Sequence, residues 1–152
     1  MRRLAAITGV IASLAVGGTA AADTLRGTPG PDHLVGGRGS DRISGRGGND
    51  RIEGRGGNDR LYGGRGNDTI FGDAGNDVIN GGPGDDTLLG GAGGDRITGG
   101  HGSDIIVGGN GNDVIRARDG EVDHVTCGPG RDRVIADPQD DVGRDCESVQ
   151  RG

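Results

Sequence analysis

A nine-residue repeat occupies most of this 152-residue chain and constrains its fold more than any other feature. Three successive units read GGRGNDTIF, GDAGNDVIN and GGPGDDTLL over residues 63–89. Ten units run without insertion over residues 27–116, with glycine at positions 1 and 4, aspartate at position 6, and Leu or Ile at position 8 of every unit. A short fixed period of this kind predicts a solenoid, in which each repeat packs only against its neighbours.

The repeat predicts one tight loop and one short strand in each nonapeptide. Glycine adopts positive φ at little cost, so we expect the first six residues to form the loop. The last three residues are suited to a strand, with position 8 facing inward and positions 7 and 9 facing solvent. Two units then make an 18-residue coil, and the coils stack into two parallel sheets. Odd repeats place Leu34, Ile52, Ile70, Leu88 and Ile106 in one sheet, and even repeats place Ile43, Leu61, Ile79, Ile97 and Ile115 in the other.

The aspartate column is the candidate metal site. Asparagine and serine would serve equally well if position 6 only made a turn, yet neither occurs there, although position 5 is asparagine five times. Stacked coils would bring the carboxylates into two files with strands about 4.8 Å apart, where they repel unless a cation lies between them. Carboxylate and carbonyl oxygens favour Ca²⁺ over Mg²⁺. The predicted ligands are Asp32, Asp41, Asp50, Asp59, Asp68, Asp77, Asp86, Asp95, Asp104 and Asp113.

Composition makes calcium a folding ligand in this interpretation. The chain has 37 glycines, one Tyr, one Phe and no Trp, and only 30% of its residues are hydrophobic. A single inward aliphatic side chain per nonapeptide is a small core for the backbone entropy that must be lost on ordering. If each ion bridges loops n and n+2, ten repeats hold roughly eight ions, whose binding stabilises the folded state.

The units GGRGNDTIF and GGPGDDTLL are similar to the G-G-x-G-x-D-x-U-x nonapeptide of the RTX, or hemolysin-type calcium-binding, repeat family. The resemblance covers the ten repeats. It implies an all-β fold, a right-handed parallel β-roll in which the position-6 aspartates and loop carbonyls hold Ca²⁺, and folding induced by calcium outside the cell. Many family members carry a catalytic or pore-forming domain before the repeats, whereas the rest of this chain offers no such domain, so we carry over no toxin or enzyme activity.

The N-terminus reads as a cleaved signal peptide over residues 1–22, followed by a short lead over residues 23–26. A positive start precedes an apolar run from Leu4 to Val16, and small residues precede the expected cleavage after Ala22. The alternative is a membrane anchor, but the run is shorter than the ~20 residues needed to span a bilayer. We therefore expect a secreted, extracellular protein with no membrane span after cleavage.

Residues 117–152 are interpreted as degenerate repeats that cap the open end of the core. Asp123, Asp132 and Asp141 keep the nine-residue spacing after a one-residue slip, while the glycines become sparse. Export makes Cys127 and Cys146 a candidate disulfide that would join the cap. Two free thiols with a redox role are the alternative, although no C-x-x-C is present.

Other function classes find little support in the sequence. It contains no H-E-x-x-H and no G-x-S-x-G, and the absence of lysine excludes a P-loop, so we expect no enzyme activity. Nucleic-acid binding is also not expected, because the chain is acidic and has two aromatic residues. An extracellular surface or matrix interaction module, with structural calcium and a partner along an arginine-bearing face, remains the alternative. Arg42, Arg60 and Arg96 lie in even repeats and Arg51 in an odd one, so the repeat pattern does not enforce a single arginine stripe.

Overall fold

The computed structural model describes residues 4–6, 12–15 and 22–152. Most of the predicted signal peptide lies outside these ranges and stays a prediction. Within the described ranges no helix is long and apolar enough to cross a membrane. The regular elements there are seventeen strands: β1 (Leu4–Ala6), β2 (Ala12–Ala15), β3 (Thr24–Arg26), β4 (Asp32–Val35), β5 (Arg42–Gly47), β6 (Arg51–Glu53), β7 (Arg60–Arg65), β8 (Thr69–Ala74), β9 (Val78–Pro83), β10 (Thr87–Ala92), β11 (Arg96–His101), β12 (Ile105–Asn110), β13 (Val114–Arg116), β14 (His124–Thr126), β15 (Arg133–Ala136), β16 (Asp141–Val142) and β17 (Ser148–Arg151).

The strands form two parallel sheets that alternate along the chain. The odd-numbered strands β1 to β17 form a nine-stranded sheet, and the even-numbered strands β2 to β16 form an eight-stranded sheet. Each strand pairs with the strand one coil away, so that Ile70 of β8 lies beside Leu88 of β10 at a separation of 18 residues. The predicted all-β parallel solenoid of 18-residue coils is therefore confirmed, with odd and even repeats in separate sheets.

The core is a single row of aliphatic side chains from each sheet. All ten position-8 residues are at most 1% exposed, and the row is extended by Leu25 before the repeats and by Val125 and Val134 after them. Positions 7 and 9 on either side are half-buried or exposed in nearly every repeat, as in Thr69 and Phe71 around buried Ile70. The inward and outward alternation predicted for the strand residues is thus confirmed.

The strands of the central coils are longer than the sequence pattern indicates. β8 and β10 each hold six residues, covering positions 7–9 of one repeat and positions 1–3 of the next. The prediction of a six-residue loop was wrong, because positions 1–3 continue the pairing with the neighbouring coil, as in Gly91 beside Asp73. Only positions 4–6 lie between strands in these coils.

The invariant glycines serve different physical purposes. At position 4, Gly66 has a φ of 116°, a left-handed conformation that favours glycine. At position 1, Gly63 lacks positive φ, but a Cβ there would contact Oδ2 of Asp68 and lie 2.6 Å from the carbonyl oxygen of Gly81. Position 1 is therefore glycine because the aspartate of its own repeat and the backbone of the next coil fill the space beside it.

A disulfide and a set of terminal hydrogen bonds close the C-terminal end. Cys127 and Cys146 are joined, with Cys127 fully buried, and no cysteine remains free. The predicted disulfide is confirmed, and the free-thiol alternative is not. The Arg151 guanidinium donates to the carbonyl oxygens of Asp137 and Asp140 at 2.8 and 3.1 Å, which attaches the last strand to the preceding turn.

Replacing Gly63 by Ala should destabilise the solenoid, because the new methyl group has no room beside Asp68 and Gly81. We expect a loss of about 1–3 kcal/mol in the free energy of unfolding, the usual cost of overpacking. Urea unfolding at a fixed calcium concentration measures it. The control is Gly47→Ala at position 3, where a Cβ meets nothing closer than 3.7 Å and φ is not positive. Equal losses from both variants would contradict the steric explanation.

Candidate metal centre

The position-6 carboxylates form a hydrogen-bonded ladder along each edge of the solenoid. Oδ1 of Asp86 accepts a hydrogen bond from the backbone N–H of Asp68, one coil earlier, at 2.8 Å. The odd and even repeats build the two separate files that the sequence predicts. The same bond, at 2.7–2.8 Å, is accepted by Asp41, Asp50, Asp59, Asp68, Asp77, Asp86, Asp95, Asp104, Asp113, Asp123 and Asp132.

The second carboxylate oxygen is left without a partner in eight consecutive repeats. In repeats 3 to 10, Oδ2 is buried and accepts no hydrogen bond within the described part of the chain. Burying an unpaired charged oxygen is costly, so these atoms require a cation or a proton. The aspartates concerned are Asp50, Asp59, Asp68, Asp77, Asp86, Asp95, Asp104 and Asp113, and Asp132 in the cap shares the feature.

Backbone oxygens lie beside these unpaired atoms. At Gly63, the Oδ2 of Asp68 and the carbonyl oxygen of Gly81 both border the space that a Cβ would occupy. Within the described ranges no three His, Cys, Asp or Glu side chains come together as a metal cluster. A cation at this edge would therefore be held by one aspartate from a coil together with backbone carbonyls. An all-oxygen donor set fits Ca²⁺ and not Zn²⁺ or Cu²⁺, which favour nitrogen and sulfur ligands.

The first two repeats differ from the other eight. Oδ2 of Asp41 accepts a hydrogen bond from the backbone N–H of Gly37 at 2.7 Å, and Oδ2 of Asp32 accepts from the N–H and hydroxyl of Thr28. Positive φ at position 2 begins only at Arg46 in the third repeat. In the first two repeats Oδ2 is therefore paired within its own loop, although Oδ1 of Asp32 is buried without a partner among the described residues. The shared aspartate column does not reveal this difference.

A second ladder runs along position 5. The backbone N–H of Asn67 donates to Oδ1 of Asn49 at 2.9 Å, and that of Asn76 donates to Oδ1 of Asn58 at 2.8 Å, so this ladder is opposite in direction to the first. The sequence reasoning missed it, although five asparagines in one column were a signal. Asparagine side chains accept the hydrogen bonds of this second ladder, so accepting one such bond does not by itself require aspartate at position 6. The feature that distinguishes position 6 is its second carboxylate oxygen, which is buried.

Burial changes the acidity of the ladder carboxylates. Desolvation is the largest cause and raises the pKa of Asp77 and Asp86 to about 7, and that of Asp59 and Asp104 to about 6. The accepted backbone hydrogen bond opposes the shift, while nearby carboxylates add to it, including those of the same file at Asp77 and Asp86. Without a cation, these sites therefore favour protonation at a pH where an exposed aspartate is ionised.

The cap continues the ladder with other residues. The N–H of Asp123 donates to Oδ1 of Asp140 at 3.2 Å, and that of Asp132 donates to Oε2 of Glu147 at 2.8 Å. The nine-residue spacing pointed to Asp141, but this residue is exposed at the start of β16, with Oδ2 3.3 Å from His124. The coil after Asp123 is one residue shorter than the usual 18, so the preceding residue, Asp140, joins the ladder.

Comparison with models of protein families identifies the repeat. The family model of the RTX calcium-binding nonapeptide repeat matches in four copies, over residues 17–52, 45–79, 53–88 and 80–115. These matches together cover about two thirds of the chain and include all ten predicted aspartates. No curated protein matches the chain.

Acid should stabilise the ion-free solenoid. The unfolded aspartates titrate near their ordinary pKa of about 4, whereas burial raises the pKa of Asp77 and Asp86 to about 7 in the folded chain. The folded state binds more protons between these values, so the free energy of unfolding is greatest below pH 4 and falls as the pH rises towards 7.

We therefore expect chelated protein to show more strand signal in circular dichroism at pH 4 than at pH 8. Saturating calcium at pH 8 should restore that signal, because the cation replaces the protons. A chelated chain with the same urea midpoint at both pH values would contradict this account of the buried carboxylates.

Proposed function

Because the chain belongs to the RTX calcium-binding nonapeptide repeat family, we propose that it is an exported protein that binds Ca²⁺ between its stacked loops and folds on doing so. One observation carries this proposal: the aspartate Oδ2 atoms of repeats 3 to 10 are buried and have no hydrogen-bond partner. The repeated arrangement indicates a ligand common to all these loops, since a chance defect would not recur every nine residues.

The ligands would be the aspartates of repeats 3 to 10 and the carbonyl oxygens of the glycine loops. Calcium would supply positive charge beside buried carboxylates such as Asp77, whose pKa is raised chiefly by desolvation and further by the neighbouring carboxylates of its file. Roughly eight ions follow if each of these eight aspartates takes part in one site. Asp32 and Asp41 belong to the same sequence column, but their Oδ2 atoms already accept backbone hydrogen bonds, so we give them a lesser role.

Folding on calcium binding is supported by the small size of the core. A single aliphatic side chain per repeat, such as Ile70, lies between the sheets. Two costs oppose folding: the backbone entropy that is lost when the loops become ordered, and the desolvation of the ladder carboxylates. Calcium would remove the second cost and, because the unfolded chain has no formed sites, its binding energy would stabilise the folded state.

Export is supported by the signal-like residues 1–22 and by the disulfide between Cys127 and Cys146. Disulfides persist in oxidising compartments outside the cytosol. Extracellular calcium modules work at about 10⁻⁴–10⁻³ M, so a chain that folds only at such concentrations would stay unfolded before export. The proposed role is binding without catalysis, which agrees with the lack of recognised catalytic motifs in the sequence.

The substitution Asp68→Asn tests the proposed ligands. It removes the charge but keeps an oxygen that can accept the ladder hydrogen bond from Asp50. We expect a lower calcium affinity, a less cooperative folding transition and the loss of about one ion, measured by isothermal titration calorimetry and by circular dichroism during calcium titration.

The matched control is Asp41→Asn, because Asp41 accepts the same ladder bond while its Oδ2 is paired with Gly37. This variant should change the ion count and the calcium midpoint much less. Equal effects of the two variants would contradict the assignment of sites to unpaired oxygens. A wild-type chain that keeps its full strand content after chelation at pH 8, and takes up no calcium, would overturn the proposed function itself.

A further inference from the structure

The nine-stranded sheet presents an outward surface that is basic, although the protein as a whole is acidic. Positions 7 and 9 of its strands point to solvent, and six of them are arginine. No Asp or Glu occupies an outward position from β3 to β17 of this sheet. We call this surface the arginine face, and its arginines are Arg26, Arg42, Arg60, Arg96, Arg116 and Arg133.

Strand register places these arginines along the solenoid axis. Arg42 of β5 lies directly beside Arg60 of β7. Val78 separates Arg60 from Arg96, and one further strand separates Arg96 from Arg133. Arg26 and Arg116 lie in the adjacent position-9 file of the same sheet. Because neighbouring strands are about 4.8 Å apart, the two files together carry arginine from β3 to β15 over roughly 29 Å. The arginine face is therefore long and narrow.

These guanidinium groups have no carboxylate to neutralise them. The ion pairs of the described residues involve Arg51 and Arg118, which lie outside the arginine face, and none of its six arginines. All six are exposed, although like charges side by side in neighbouring strands are unfavourable. The outward surface of the other sheet is different, since three of its middle strands carry Thr69, Phe71, Thr87, Leu89, Ile105 and Val107.

We propose that the arginine face binds a linear acidic polysaccharide, whose carboxylate or sulfate groups pair with successive guanidinium groups along the solenoid axis. Guanidinium binds such planar or multi-oxygen anions with two parallel hydrogen bonds. Charge complementarity selects a polyanion, and two adjacent files that run along the solenoid axis select a linear chain. Many weak contacts along one polymer add up through multivalency, even when each exposed pair contributes little.

Nucleic acid fits this surface less well. Stacking of bases requires exposed aromatic rings, and Tyr62 is the aromatic residue that this sheet presents. The guanidinium of Arg42 already covers its ring at 5.0 Å from the centroid. A charged surface without free aromatic rings for base stacking favours a ligand that is recognised through its anionic groups alone.

The test uses the full mature chain in calcium and a fluorescently labelled hyaluronate oligosaccharide as the probe. Fluorescence anisotropy gives the affinity at low salt, where exposed charges are least screened. Neutral dextran and a single-stranded deoxyribonucleotide of similar length are the comparison ligands. We expect binding of hyaluronate that weakens with salt, no binding of dextran, and weaker binding of the oligonucleotide.

The variant Arg42→Gln, Arg60→Gln, Arg96→Gln, Arg133→Gln should lower the affinity for hyaluronate about tenfold or more, since it removes four exposed pairs. The matched control makes the same charge change at exposed arginines outside the face. It consists of Arg38→Gln, Arg55→Gln, Arg131→Gln and Arg144→Gln, none of which lies in a strand of the nine-stranded sheet, and should retain most of the affinity. Circular dichroism in calcium checks that both variants fold, and lysine at the four face positions should restore part of the binding.

Three outcomes would overturn the proposal. Equal losses in the two glutamine variants would show that net charge, and not the arginine face, attracts the polymer. Tighter binding of the oligonucleotide than of hyaluronate would assign the face to nucleic acid. A wild-type chain that is folded in calcium but does not bind hyaluronate would remove the function altogether. The folding signal is read separately, so a failure of calcium-induced folding cannot be mistaken for a failure of this surface.

Discussion

Successive coils are connected through buried aspartate carboxylates, in which one oxygen is hydrogen-bonded and the other is not. One oxygen, as in Asp86, accepts the backbone N–H of the coil before it, and the other is buried without a partner. The first interaction holds the register of the ladder, and the second makes the ladder unfavourable until a cation or a proton arrives. Both the tight stacking and the requirement for a ligand follow from this one residue position.

The glycines are a consequence of the same arrangement. Because Oδ2 of Asp68 and the carbonyl oxygen of Gly81 fill the space beside Gly63, no larger residue fits there, and the two oxygens remain close together. Under the proposed function a thin aliphatic core is sufficient, because bound calcium would supply the stabilisation that a larger core provides in other proteins. With the side chains of position 8 facing inward, the outward positions are free to carry other functions, including the arginine face.

Much of the architecture could be predicted because the nine-residue period fixes which residues become neighbours in adjacent coils. The separation of Ile70 and Leu88 into neighbouring strands of one sheet follows from two nonapeptides per coil. The length of the strands did not follow, because glycine-rich positions 1–3 look like loop residues but still pair with the next coil. The position-5 ladder did not follow either, because the asparagines indicated only that asparagine is tolerated next to the invariant aspartate and not that it accepts hydrogen bonds from the neighbouring coil.

The sequence by itself determined the repeat unit, the sheet to which each strand belongs, the aliphatic row and the aspartate files, because all of these depend on spacing along the chain. The tertiary structure decided which carboxylates are satisfied, since Asp41 and Asp68 share one column, yet Oδ2 of Asp41 accepts the N–H of Gly37 and Oδ2 of Asp68 has no partner. It also placed Asp140 and not Asp141 in the ladder of the cap. The arginine face depends on positions 7 and 9 of alternate repeats together, and only the folded sheet brings those columns onto one surface.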